Sequence, residues 1–550
     1  MSKNLSALSG RKGLDNNLFD QLVSASKEGG TLTDEKLREL AWEYLMGNAN
    51  TYGTISFYDF LKKENKGKKV YVCNGSACLV AGTQGNVTQK LASYFSEEEV
   101  GHMCCLGRCH ENSAFNVNGY NYSGNAINNL NSIVTSKING LEKYTVGANV
   151  KNKVLTGNPM DAATFKQLFI KAKNMGFEKV LDEIKVASVR GRGGAGFPMG
   201  LKWESCKNSQ SDQKFIVCNA DEGDPGAYSD RYLLEVQTYS VLFGIMMAGL
   251  VVGADRGVVY LRAEYPEAIE ITQKAIDTLT AIGMNGSNIG DSNLDFTFKI
   301  IEGAGAYVCG EETALLSSIE GQRPEVRVRP PYPTQEGLFG KPTVVNNVET
   351  LAAVPWILEN GGESYAALGT TKSKGTKLVC LDSFFNTPGI YEIEMGTPLE
   401  KVIQHFGGGF KSDVKALHIG GPLGGIVPVH KIKELTLDFE SFQKEGFLLG
   451  HASVVSIPHD FSMIKYMEHL FEFTAAESCG KCFPCSIGSV RGKEMFTKAL
   501  EGEKINQELL NDLLETMEIG SLCALGGGLP LGIKNALHYF KEELNPHLSA

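Results

Sequence analysis

The sequence predicts an α/β protein of several domains, and three observations carry that prediction. The chain has 550 residues, well beyond the ~250–300 at which one hydrophobic core stops growing. Its middle alternates helix-like stretches with apolar runs such as Phe215-Ile216-Val217 and Val258-Val259-Tyr260-Leu261, the pattern of a largely parallel sheet with helical crossovers. Cysteines gather in two places, 73–109 and 479–523, so a separate thiol-bearing unit is expected on each side of the central one.

Taken in order, residues 1–65 read as a helical segment. Thr33 and Asp34 offer a cap, and Leu37, Leu40, Ala41 and Tyr44 recur at helical spacing. Residues 66–140 open with the β-type run Val70-Tyr71-Val72, followed by a cysteine-bearing loop and a helix expected over 87–94. Residues 141–375 hold the alternating central domain, where the run from Val241 to Ala254 is too short to span a bilayer and reads as a buried core helix. The polar stretch Gly369–Gly375 reads as a linker. A compact unit of β-like segments and glycine turns follows over 376–435, and residues 436–550 return to helical patterning around the remaining cysteines.

The formal net charge of -10, with 42% hydrophobic and 21% charged residues, argues against nucleic acid as a partner. No apolar stretch follows the first residues and no membrane span is expected, so a cytoplasmic location is the expectation. In a reducing compartment, an odd count of 13 cysteines points to metal ligands and free thiols rather than disulfides.

In ESCGKCFPC, Cys479, Cys482 and Cys485 stand at three-residue intervals, and Cys523 can supply a fourth thiolate. Three cysteines on one turning segment suit the corners of a [4Fe-4S] cubane, whereas zinc sites usually pair two CxxC knuckles. Cys73 and Cys78, with Cys105 and Cys109, form two pairs on two loops, which suits a [2Fe-2S] rhomb. Zinc is the competing metal at both, and Cys104 competes with Cys105 as a ligand. Cys206, Cys218, Cys309 and Cys380 have no partner at metal spacing and read as small buried hydrophobes.

Between the two sets, VRGRGGAGFPMGLKW carries Gly191, Gly193, Gly194 and Gly196 in a GxGxxG spacing, which lets backbone amides approach a phosphate. Arg190, Arg192 and Lys202 add positive charge, while a tight packing turn is the plain alternative. NADEGDPGAYSDR and GAGAYVCGEETALL, the second also carrying Tyr307 as a candidate cofactor contact, place Asn219, Asp221, Glu311 and Glu312 beside small residues, a setting for ligand hydrogen bonds rather than a solvated charged face. Phe197 and Tyr332 could stack on rings or serve as core.

Together with KPTVVNNVETLA, ESCGKCFPCSIG, SLCALGG and TYGTISFYDFL, these motifs stand in one order along nearly the whole chain. In that order they resemble the NADH-oxidising flavoprotein subunit of the complex I family with a thioredoxin-like [2Fe-2S] domain fused in front, as in diaphorase subunits of soluble NAD-linked hydrogenases and formate dehydrogenases. The resemblance implies a Rossmann-like domain binding FMN and NAD(H), a ubiquitin-like (SLBB) domain at 376–435 and a helical [4Fe-4S] domain. It places FMN on the glycine loop, Lys202, Asn219, Asp221, Gly310, Glu311 and the Asn346-Asn347 pair, and the adenine between Phe197 and Tyr332. Glu312 and Asp224 are expected to orient the nicotinamide rather than exchange protons. Three departures from complex I subunits stand out: Ser205 for an aromatic residue, Arg329 for Lys and Asp224 for Glu. Expected partners are NADH/NAD+, an iron-sulfur relay subunit and a hydrogenase or formate dehydrogenase catalytic subunit. Competing readings are an electron-bifurcating subunit, weakened by the lack of further CxxCxxC repeats, and a relay subunit with a dead flavin site.

Overall fold

A computed structural model describes residues 13–29, 33–62, 65, 68–136 and 144–549. The expected domain boundaries at 65/66 and 140/141 therefore touch positions outside the described residues. In the first segment, helix Asp34–Glu43 begins where the sequence placed it. The Thr33 side chain accepts the Lys36 amide hydrogen, and Leu37, Leu40 and Ala41 are buried.

Strand β1 (Val70–Cys73) pairs in parallel with β2 (Val100–Met103) and antiparallel with β3 (Phe115–Val117), which pairs with β4 (Tyr120–Tyr122). The helix expected over 87–94 runs instead over Gln84–Leu91. The Gln84 amide donates to the Cys73 and Ala114 carbonyls at 2.7 and 3.1 Å, a tertiary anchor that periodicity cannot reveal. Strand β5 (Thr145–Ala148) then leaves this unit for a sheet formed much later in the chain.

The central sheet is wholly parallel, with order β8-β7-β6-β9. It comprises β6 (Phe215–Ala220), β7 (Arg256–Leu261), β8 (Thr297–Glu302) and β9 (Thr343–Asn347). Asn219 and Asn347 are register partners at the carboxyl ends of adjacent β6 and β9, where open α/β sheets bind ligands. Helix Thr238–Val252 is buried nearly throughout, as an apolar helix lacking a polar face must be. Among the described residues no single helix is long and apolar enough to cross a membrane; one bent pair, Ser229–Val236 with Thr238–Val252, meets the length and composition test, but its members pack inside the protein.

The third sheet has order β13-β12-β14-β10-β11-β5, built from β10 (Thr376–Leu381), β11 (Gly389–Glu394), β12 (Val414–Ile419), β13 (Gly425–Pro428) and β14 (Ser453–Pro458). It is not confined to 376–435. β14 sits between β12 and β10, and β5 extends the far edge. The stretch Gly369–Gly375 is likewise no free linker: Ser373 is buried and donates to Glu440. Helices Met463–Glu477, Phe483–Leu500, Gln507–Gly520 and Ala524–Tyr539 complete the C-terminal region.

Candidate functional site

The glycine loop closes on itself through a bridge between Arg190 and Pro198 and a 2.8 Å bond from the Gly191 amide to the Phe197 carbonyl. Gly194 and Gly196 have φ of +117° and +64°, conformations that tolerate no side chain cheaply. A Cβ on Gly193 would stand 3.1 Å from Asn347, so the loop lies directly on the end of β9. The loop's two arginines point to structural partners. Arg190 stacks on Phe439 at 4.1 Å and pairs with Glu440 at 2.6 Å. Arg192, 1% exposed, donates to the Tyr365 hydroxyl and the Lys374 carbonyl.

Helix Met199–Asn208 follows the loop and carries Lys202, whose ammonium reaches Glu312 at 2.9 Å and the Val345 carbonyl at 3.0 Å. Across β9, Asn346 accepts from the Trp203 indole at 2.8 Å. Asn347 caps the helix that follows and donates to Asp230 at 2.6 Å. On the β6 side, Asn219 donates to the Gly310 carbonyl at 2.8 Å and accepts the Asp221 amide at 3.1 Å. Asp221 Oδ2 is shielded from solvent and has no hydrogen-bond partner among the described residues. Burial pushes its carboxyl well above the ordinary range, with Arg262 opposing. An open glycine cradle, a cation and an orphaned acceptor converging on two strand ends fit the ring and phosphate of a flavin mononucleotide.

Glu311 and Glu312 divide their tasks. Glu311 caps helix Glu312–Ile319, accepting the Thr313 and Ala314 amides at 2.9 Å each. Glu312 is held between Lys202 and Arg329, 3.1 Å away on the other side. Arg329 also reaches Glu311 at 3.4 Å, so the departure to arginine places a forked donor across both acids. Ser205, the other departure, shares a 2.9 Å hydrogen bond with Thr334. Asp224 accepts the Tyr307 hydroxyl at 2.6 Å, while the Tyr307 amide donates to Glu477 at 2.8 Å. Burial raises the Asp224 pKa, partly offset by His451 and by Tyr307. Phe197 and Tyr332 are 53% and 55% exposed, large rings open to a partner rather than buried as core.

Sequence reading missed a buried trio beneath the loop. The Nε2 of His451 lies 3.6 Å from both Glu222 and Asp230. Burial alone would hold the imidazolium pKa down, but the Asp230 and Glu222 carboxylates outweigh it and raise it to about 9. Glu222 also accepts from Ser229, Tyr265 and the Asp230 and Arg231 amides. No local pattern signals this trio, because His451 is more than 200 residues away in sequence and stands in the turn just before β14.

Both thiol sets assemble. Cys73 ends β1, Cys78 lies in the short helix Ser76–Val80, and the Cys105 and Cys109 sulfurs are 3.5 Å apart. The Gly75 amide donates to the Cys73 sulfur at 3.4 Å and the Gly226 amide to the Cys109 sulfur at 3.2 Å. Cys104, half-buried, packs against both the cluster that holds Cys105 and Cys109 and the one that holds the C-terminal thiols. There, Cys479, Cys482, Cys485 and Cys523 share one cluster with Val308, Phe473 and Leu525. Cys482 and Cys523 each precede a helix, and Cys485 lies in the first turn of the helix after Cys482. A Cβ on Gly526 would come within 2.6 Å of the Cys485 Cβ and 3.0 Å of its sulfur, so that glycine keeps room open beside the thiols. Four free thiols in each set fit a [2Fe-2S] and a [4Fe-4S] cluster.

The chain is similar to known proteins along most of its length. Residues 184–356 match the family model of the Nuo51 FMN-binding domain, 465–547 that of the NADH-ubiquinone oxidoreductase-F iron-sulfur binding region, and 7–137 that of the thioredoxin-like [2Fe-2S] ferredoxin. The chain is 32% identical to the alpha subunit of the NAD-reducing hydrogenase HoxS of Cupriavidus necator, over 96% of this chain and 91% of that one. It is 41% identical to the HndC subunit of the NADP-reducing hydrogenase of Solidesulfovibrio fructosivorans, over 67% and 76%. It is 38% identical to the F subunit of NADH-quinone oxidoreductase in Escherichia coli, over 66% and 83%. A crystal structure of NAD+-reducing [NiFe]-hydrogenase in the H2-reduced state superposes with a TM-score of 0.86 at 28% identity, over 97% of this chain and 93% of that one. The chain belongs to the family of NADH-oxidising FMN and iron-sulfur flavoproteins that includes the F subunit of NADH-quinone oxidoreductase and the diaphorase subunits of NAD-reducing hydrogenases, in the form with a thioredoxin-like [2Fe-2S] domain.

Proposed function

We propose that this chain is the NAD(H)-dependent diaphorase subunit of a cytoplasmic multisubunit complex, working beside an iron-sulfur relay subunit and a hydrogenase or formate dehydrogenase catalytic subunit. The observation that carries the reading is the placement of one nucleotide-type cradle and two four-thiol sets in one chain. Thirteen unpaired cysteines support a reducing compartment. The relatives named as hydrogenase subunits support the choice of partners.

Bound FMN supplies the exchange between two-electron hydride chemistry with NAD(H) and one-electron traffic with clusters. The protein supplies placement. Gly191, Gly193, Gly194 and Gly196 bring backbone close to the cofactor, Asn219, Asp221, Gly310, Asn346 and Asn347 frame it from the strand ends, and Lys202 faces its negative charge. Phe197 and Tyr332 grip the adenine from two exposed positions. Glu312, fixed by Lys202 and Arg329, and Asp224, fixed by Tyr307, orient the nicotinamide, and such orientation is worth far more than its contact energy. Cys73, Cys78, Cys105 and Cys109 hold the [2Fe-2S] cluster, and Cys479, Cys482, Cys485 and Cys523 the [4Fe-4S] cluster. Glu311 and Arg192 act behind this surface, as a helix cap and a buried brace.

The test is an anaerobic visible spectrum of the purified chain before and after NADH, with flavin and iron quantified on the same sample. Bleaching of flavin together with cluster reduction is the expected result. Iron without flavin would turn the reading toward a relay subunit, and zinc in place of iron would sink it.

A further inference from the structure

Residues 318–327, at the end of helix Glu312–Ile319 and just after it, touch two parts of the chain that are far away in sequence. On one side they receive the N-terminal region: the Tyr58 hydroxyl donates to the Ser318 hydroxyl at 2.7 Å, and the Thr54 hydroxyl donates to the Gly321 carbonyl at 3.4 Å. On the other side they reach the loop between helices Met463–Glu477 and Phe483–Leu500, which carries Cys479 and Cys482. Arg323, partly buried, makes both contacts at once. Its Nε donates to the Cys479 carbonyl at 3.1 Å, its Nη1 donates to the Gly53 carbonyl at 3.3 Å, and its guanidinium lies 4.6 Å from the centre of the Phe57 ring.

Each contact has a physical reason. Helix Asn48–Ile55 stops at Ser56, so the Gly53 carbonyl belongs to a last turn that lacks intrahelical partners, and a cation there also meets the negative end of the helix dipole. Phe57 supplies an aromatic face for the guanidinium, and it packs in turn against the cluster that holds Cys479, Cys482, Cys485 and Cys523. The neighbouring pair of Lys481 with Glu325 spans 3.6 Å between exposed side chains, so solvent screens it and it fixes little. Arg323 is therefore the cation held by three partners against the backbone of the first thiol in the C-terminal set. A Cβ on Gly480, the next residue, would stand 3.8 Å from its Nη2.

We propose that Arg323, clamped by Gly53 and Phe57 of the N-terminal region, is a positioning residue for the [4Fe-4S] site that holds the Cys479 loop and raises the reduction potential of the cluster. Partners behind metal ligands orient those ligands and tune the metal. A cubane bound by four thiolates carries net negative charge and gains one more on reduction, so a fixed cation beside it favours the reduced form. Through one side chain, the N-terminal region thereby acts on a centre more than 400 positions further along the chain. The inference rests on Cys479, Cys482, Cys485 and Cys523 being the ligands of a [4Fe-4S] cluster, as proposed above.

The test uses the full chain purified anaerobically as wild type, Arg323→Gln, Arg323→Lys and Phe57→Leu. Iron content and the midpoint potentials of both clusters, from redox titrations followed by low-temperature EPR, are measured on each. Arg323→Gln is expected to keep its iron, to lower the reduction equilibrium constant of the [4Fe-4S] cluster by roughly 3–10-fold, which is about 30–60 mV for a one-electron couple, and to leave the [2Fe-2S] potential in place. Arg323→Lys keeps the charge but loses the fork, and its potential is expected to lie between that of Arg323→Gln and wild type. An unchanged [4Fe-4S] potential in Arg323→Gln overturns the inference, and so does an equal fall in Arg323→Lys, which would make packing rather than charge the cause. Should Arg323→Gln lose its [4Fe-4S] iron, the potential is read in Phe57→Leu, which removes the ring that orients the guanidinium; a smaller fall in the same direction is expected, and no fall overturns the inference. A wild-type chain lacking any [4Fe-4S] signal overturns the ligand assignment itself, and this inference with it.

Discussion

Glu312 is held between two cations at 2.9 and 3.1 Å, and its charge, more than its size, fixes its carboxylate where the proposed function has it orient the nicotinamide. Glu312→Gln is expected to weaken NADH binding by roughly 3–10-fold, the equivalent of about 0.7–1.4 kcal/mol, with iron content unchanged. Flavin fluorescence titrated with NADH checks this, and unchanged affinity would remove Glu312 from the site. His451 gives a second expectation, from the buried trio. Its folded pKa of about 9 exceeds the ordinary 6.5, so the folded chain holds a proton that the unfolded chain releases. The resulting stabilisation is complete below about pH 6.5 and is lost as pH rises toward about 9. Melting temperatures of wild type and His451→Gln followed across that window are expected to converge at the alkaline end, and parallel curves would rule out this linkage.

Among the elements, helix Glu312–Ile319 depends on its cap. Glu311 satisfies two amides that would otherwise lack intrahelical partners, and its charge complements the helix dipole. Glu311→Ala is expected to cost about 1 kcal/mol, read as a fall of a few degrees in melting temperature; an unchanged melting temperature would return Glu311 to a purely ligand-facing role. The helix after Cys523 carries the opposite kind of constraint, since Gly526 must remain without a side chain. Gly526→Ala is expected to remove the [4Fe-4S] signal while leaving the [2Fe-2S] signal in place, because the added carbon occupies the space beside Cys485. Retention of both signals would show that Ser521, also within reach of that carbon, can yield.

For the whole molecule, the two thiol sets belong to separate folding contexts, one on β1 and the loop after β2, the other at helix starts. Loading is therefore expected to be modular. Wild type is expected to hold about six irons per chain, falling by about two in Cys109→Ser and by about four in Cys482→Ser. Loss of all iron in either variant would mean that the two regions assemble cooperatively. The units are nevertheless locked together. Asn121 of β4 donates to the Glu264 carbonyl, and the Asn112 side chain meets Ser383 beside β10.

The sequence alone determined the chemistry. Cysteine spacing, the glycine loop and the acidic motifs are local patterns, legible because metal and phosphate sites demand particular residue types at short separations. It also determined the capped helix at Thr33, the core helix near Val241 and the largely parallel direction of the central strands. Only the tertiary structure decided which of the clustered polar groups face a cavity and which face the protein. Glu311 also caps a helix and Arg192 also braces Tyr365 and the Lys374 carbonyl, contacts that no local pattern announces; His451 carries no signal in the sequence and sits beside the glycine loop, against Glu222 and Asp230. The sheet built on β10 could not be bounded from sequence, because its outer and inner strands β5 and β14 come from residues more than 200 and 70 positions away from β10. Burial and hydrogen bonding between such distant segments depend on the three-dimensional path of the chain, which no local period encodes.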